Sequence, residues 1–112
     1  MTVEFSLDGS NFVALNGGPL FHFSEAVSFI INCANQEEVD YFWERLSEGG
    51  DPAAQQCGWL KDKFRVSWQV VPEEMITLLT DPDTQRAQRV MAAMLPMKKI
   101  DLAVLKQAFE QG

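Results

Sequence analysis

FRVSWQVV, residues 64–71, is the stretch on which the fold turns. Phe64, Val66, Trp68 and Val70 alternate with Arg65, Ser67, Gln69 and Val71, and a period of two belongs to a strand whose side chains look in opposite directions. One face is wholly apolar and needs a core beneath it. The other carries Ser67 and Gln69, neutral polar groups that a dry interior disfavours.

Upstream, CGWLKD (57–62) reads as a short strand or turn, and Asp51 to Gln56 as a loop. Val39, Phe42, Trp43 and Leu46 recur at helical spacing and form one apolar stripe. Asn35 is suited to cap that helix with Glu38 as capping-box partner, and Gly49-Gly50 to end it in the left-handed region. AVSFIINC (26–33) is an almost unbroken apolar run and reads as a strand covered on both faces. At the start, Val3, Phe5 and Leu7 alternate with polar residues. Asp8-Gly9-Ser10-Asn11 turns the chain, and residues 12–16 return, so 2–16 is a hairpin with one buried face.

Downstream, Pro72 with Glu73-Glu74 opens a short helix that ends near Leu79. Asp81-Pro82-Asp83 caps a helix carrying Ala87, Val90, Met91, Met94 and Leu95. Asp101 caps a last one, with Leu102, Leu105 and Phe109 on one face. The order β-β, β-α-β-β, α-α-α makes this an α+β chain. The opening hairpin has no partner strands. An unpaired edge invites another chain, and a second copy is the simplest source, so a homodimer is expected.

The 112 residues fit a single domain over 1–112, with no linker long enough to divide it. The net charge of −7 repels duplexes and anionic membranes, so no nucleic-acid or membrane partner is expected. No apolar run is long enough to span a bilayer, and MTVEFSLDGS lacks the basic and apolar regions of a signal peptide. Cys33 and Cys57 are too few for a disulfide framework. They read as small buried residues, reduced in a cytoplasmic setting.

A metal site needs three or four facing ligands, and the chain offers one histidine, His22, between aromatic residues. Cys57 and Ser67 have no base that the sequence places beside them. The carboxylates Glu37, Glu38, Glu73, Glu74, Asp81 and Asp83 gather at helix starts, where they cap and oppose the dipole. Neither glycine pair fits a phosphate-binding fingerprint. No catalytic residue and no cofactor is assigned on these grounds. What remains is Asn16, Ser28, Asn32, Ser67 and Gln69, neutral polar residues within apolar strands. They line a ligand-binding cup, or they serve as cross-strand hydrogen-bond partners and solvated positions.

CGWLKDKF…SWQVVP (57–72), with EVDYFWERLSEGG (38–50), FVALNGGPLFHFSEAVSFIINC (12–33) and RVMAAMLPMKKIDLAVLKQAF (89–109), resembles the PhnB-like branch of the vicinal-oxygen-chelate (glyoxalase/bleomycin-resistance/dioxygenase) superfamily. Members of this branch often bear the name 3-demethylubiquinone-9 3-methyltransferase. The resemblance implies a cup-shaped mixed sheet of βαβββ modules. Residues 1–18 look like the end of a first module, 26–71 a second module with a further strand in 51–60, and 72–112 C-terminal helices. The first module's opening strand and helix have no counterpart, through truncation or because another chain supplies them. The family's last-strand metal position falls on Gln69, its usual glycine on Arg65, and the first-strand position on or near Ser28. Ala14 or Asn16 answers the remaining one within the chain. A neutral amide is a poor ligand for a divalent cation. Methyl transfer would want a glycine-rich βα turn, and none is visible. The expectation is therefore a homodimer that binds a small organic ligand in a strand-lined cup without a metal. The alternatives are a metal-dependent lyase, isomerase or dioxygenase, and a purely structural partner-binding protein.

Overall fold

In a computed structural model that describes residues 1–111, the chain forms five strands and four α-helices. They are β1 (Thr2–Leu7), β2 (Ser10–Leu15), β3 (Ser28–Cys33), α1 (Gln36–Ser47), β4 (Trp59–Lys61), β5 (Ser67–Pro72), α2 (Glu73–Leu79), α3 (Thr84–Met94) and α4 (Leu102–Glu110). Single 3-10 turns lie at Gly18–Leu20 and Pro52–Ala54. β1 and β2 pair only with each other, and β3-β5-β4 make a separate mixed sheet with β5 in the middle. β3 runs parallel to β5, with Ser28 opposite Ser67 and Ile30 opposite Gln69. β4 runs antiparallel to it, with Trp59 opposite Gln69 and Lys61 opposite Ser67.

β5 borders two interiors. Val70 joins Cys33, Val39, Trp43 and Leu60 under α1, the helix whose apolar stripe the sequence displays. Val71, one residue on, joins Met75, Leu78, Val90, Ile100, Leu102 and Leu105 among α2, α3 and α4. Polar links tie the two units. The Gln36 side chain donates to the Ile100 carbonyl (2.9 Å) and accepts from the Leu102 N–H (2.8 Å). The N–H groups of Cys57 and Gly58 donate to the carbonyls of Met97 (2.7 Å) and Lys98 (2.8 Å).

The expected caps form. Asn35 accepts from the Glu38 N–H, Asp83 from Gln85 and Arg86, and Asp101 from Ala103 and Val104. Gly49 ends α1 with φ +76°, whereas Gly50 does not share that conformation.

Four expectations need correction. β5 starts at Ser67 rather than Phe64, because the Asp62 carboxylate accepts from the N–H groups of Phe64 (2.8 Å) and Val66 (3.0 Å) and bends those residues into a turn. Asp62 also takes the Trp68 indole N–H (2.9 Å), so the Asp…Trp part of the motif serves the turn. Residues 51–60 add no further strand beyond β4; a lone bridge joins Gln56 and Trp59. β3 is not covered on both faces, since it lies at the sheet edge with Phe29 and Ile30 exposed. The hairpin buries neither face within this chain. Leu15 is 73% exposed, and Val3, Phe5, Leu7 and Val13 are open as well. An aromatic series, Phe5–Phe12–Phe29–Trp68, with ring centroids 5.3–6.0 Å apart, links it to the larger sheet. The radius of gyration, 16.3 Å, exceeds the roughly 13 Å of a compact chain this long because the hairpin stands out as an arm. Among the described residues, no helix is long and apolar enough to cross a membrane.

The cysteines differ. Cys33 is fully buried, and burial, with Glu38 and Glu73 nearby, pushes its thiol up to about 11. Cys57 is only partly buried. With about one Cys33 molecule in a thousand ionised at pH 8, iodoacetamide should modify the native protein at Cys57 alone, and at both sites in urea. Peptide mass mapping that finds Cys33 alkylated first would contradict this burial.

Candidate functional site

Strand alternation and the register place Ser28, Ile30 and Asn32 of β3, Ser67, Gln69 and Val71 of β5, and Trp59 and Lys61 of β4 on one face of the sheet. The opposite face, with Ile31, Cys33, Leu60, Trp68 and Val70, packs against α1. The partition follows from β5 itself: Trp68 and Val70 supply apolar groups to the α1 side, and Ser67 and Gln69 polar groups to the far side, until Val71 meets the helices.

Of the five candidate residues, four share this face. The Gln69 amide donates to Ser28 Oγ at 2.9 Å, so these two are joined across the sheet. Ser67 is their neighbour in register and is 2% exposed. Its Oγ is the one buried side-chain N or O atom among the described residues without a hydrogen-bond partner. Asn32 is exposed near the end of β3, where it also borders a groove of about 600 Å³ between the hairpin, β3 and α1. Asn16 is not brought to the others. It lies just beyond β2 at the open end of the hairpin, its N–H bonded to the Met1 carbonyl at 3.0 Å.

Ser67 also lines a cleft of about 350 Å³ with Trp59, Lys61, Gln56, Asp51 and Glu25. Lys61 and Glu25 form an ion pair at its border. The hydrogen bond and charge of the Lys61 ammonium hold the Glu25 carboxyl below the usual range. The Asp51 carboxylate accepts from the Ala53 N–H (2.9 Å) and caps the 3-10 turn beside the cleft. The sequence reading missed Trp59 and Lys61 because it could not fix the register of so short a strand as β4, and Glu25 because it belongs to a turn. The signal was there in part: Leu60 between Trp59 and Lys61 is the apolar member of an alternating triplet.

The metal position implied by the resemblance can be tested on these side chains. Gln69 is flanked in register by Ile30 and Trp59, and its amide is engaged with Ser28. No carboxylate, imidazole or thiolate stands among these neighbours. Among the described residues, no three His, Cys, Asp or Glu side chains converge. This donor set does not fit a divalent cation.

The sequence profile of the family described as 3-demethylubiquinone-9 3-methyltransferase matches residues 1–71, ending within β5, so that α2–α4 lie outside it. A PhnB protein from Bacillus cereus, whose description bears the same methyltransferase name, is 27% identical with a TM-score of 0.57. The match covers 64% of this chain and 64% of that chain, just under two thirds of each. No curated protein matches.

Proposed function

Because this chain belongs to the 3-demethylubiquinone-9 3-methyltransferase (PhnB-like) family, we propose that it binds a small organic molecule, without a metal, on the polar face formed by Ser28, Ser67 and Gln69. The observation that carries this reading is the Ser67 hydroxyl, buried and without a partner, on a residue that lines a cleft. Native structures rarely leave such a group unmatched, and a ligand is one way to match it. Methyl transfer draws no support from the βα turn after β3, where Ala34-Asn35 holds no glycine to admit a donor's backbone contact.

The test is a titration followed by amide NMR, on protein prepared in chelator, with benzamide and benzoate as probes. Shifts should concentrate at Ser28, Ser67 and Gln69. Ser67→Ala should remove them while leaving the melting temperature unchanged or slightly higher, since deleting an unmatched buried hydroxyl relieves a cost of roughly 1 kcal/mol. Undiminished binding by this variant, or binding only after metal is restored, would defeat the reading.

The proposal extends to assembly. The arm presents Val3, Phe5, Leu7, Val13 and Leu15, β3 has an unpaired edge, and the hairpin has two. A second copy of the chain covers these surfaces and completes the cup, in our reading. Light scattering at micromolar concentration should give twice the monomer mass, and Phe5→Glu should halve it. A monomer in the unsubstituted protein would remove this part of the proposal.

A further inference from the structure

We propose that the cleft beside Trp59, Lys61 and Ser67 takes the carboxylate of a small organic acid, and that Glu25 is the chain's own stand-in for that carboxylate. The inference rests on the binding reading above and names the ligand's chemistry.

Two donors face this place from adjacent strands. Lys61 and Ser67 are opposite each other in the β4–β5 register and share a face, which puts their Cβ atoms about 5 Å apart. The Lys61 side chain is 28% exposed, and it is the sole cation among the cleft-lining residues. In a chain of net charge −7, an anion needs such a local cation to be held at all.

The present counter-ion satisfies only half of this arrangement. Glu25 pairs with Lys61, but the Ser67 hydroxyl stays unmatched. A carboxylate has two oxygens, and one that displaces the Glu25 side chain takes the Lys61 ammonium with one and, as the lining around the buried Ser67 hydroxyl shifts, the Ser67 O–H with the other. Hydrogen bonds to ionised groups are the stronger kind.

Glu25 is suited to give way. It belongs to no strand or helix but to a turn ahead of β3, in which the Ser24 hydroxyl accepts from the Ala26 N–H (3.2 Å). Its side chain is 64% exposed, so the pair it makes is worth little in water. The other carboxylate of the lining, Asp51, is engaged with the Ala53 N–H. Trp59 and Gln56 border the same space and offer an aromatic wall and an amide. The occupant that fits is thus an acid with a compact, planar body.

Glu25→Gln tests the stand-in directly. It removes the internal competitor, so benzoate should bind this variant about two- to fivefold more tightly than the unsubstituted protein, the range expected for an exposed pair. Lys61→Gln should weaken benzoate at least about tenfold and Lys61→Arg should restore part of the loss, while benzamide responds to neither. Benzoate binding that is no tighter in Glu25→Gln, or that survives in Lys61→Gln, overturns the inference. So does binding too weak to detect in both Glu25→Gln and the unsubstituted protein. If benzamide still shifts Ser28, Ser67 and Gln69 in any of these cases, the broader binding proposal stands and only the acid preference is lost. If neither probe shifts them, both are lost.

Discussion

Gly50→Ala should lower the stability of the folded chain by about 3 kcal/mol, at the upper end of overpacking effects, and should do so through β4. A methyl group at Gly50 would fall well inside contact distance of the Lys61 carbonyl oxygen and close to the backbone of Asp62. These are backbone atoms at the end of β4 and of the residue after it, held by the Asp62 N–H bond to the Val66 carbonyl (2.9 Å), and they cannot swing aside as a flexible side chain would. Gly49→Ala is the control. There the cost is the left-handed conformation, roughly 1–2 kcal/mol, and the nearest neighbour is the Lys63 side chain. Urea midpoints at constant slope should rank the two variants in this order. Equal midpoints would mean that β4 is free to retreat. Because β4 carries Trp59 and Lys61, Gly50→Ala should also disturb the amide signals of Lys61 and Ser67, which ties a loop glycine to the geometry of the cleft.

Ile100→Ala should cost about 2–5 kcal/mol, the range for emptying a buried aliphatic site, and lower the melting temperature by roughly 10–20 °C. Ile100 is fully buried among the helices, and its side chain lies against Gly58, the residue that leads into β4. Its carbonyl receives the Gln36 amide from the far unit. The cavity would therefore open where the helical unit meets the sheet. A single transition, displaced as a whole, is expected by circular dichroism and by tryptophan fluorescence alike. If the helices melted separately while Trp43 and Trp68 kept their native signal, the two interiors would be independent, contrary to the shared strand described above.

Much of this architecture was legible because it depends on neighbours in sequence. Asn35, Asp83 and Asp101 cap their helices, the Val39–Leu46 stripe packs on the sheet, and Asp8-Gly9 turns the hairpin, all for reasons confined to a few residues. What could not be read depends on pairing. Ser67 lies between Ser28 and Lys61 only because β5 occupies the middle of the sheet, and nothing in the composition of three strands dictates that order. Arg65 adopts φ +71°, a conformation that favours glycine, so the early end of β5 was hidden behind an alternation that ran on through the turn. The hairpin's alternation reported truthfully that one face is apolar, but not what covers it. Ser28, Ser67 and Gln69 stood out as candidates because neutral polar residues are costly inside apolar strands, and the sheet brings them to one face. Glu25 escaped notice because a charged residue in a turn looks like ordinary surface, and Lys61 because the register of a three-residue strand is not written in its composition.

The arrangement of Val70 and Val71 on opposite sides of one strand has a kinetic corollary. Exchange of the amides from Trp68 to Val71 with deuterium requires both packed regions to let go at once, whereas the arm and the edge residues of β3 need neither to open. This strand should therefore be the last part of the molecule to label. A substitution that loosens either side should shorten that protection before any change in average shape is visible.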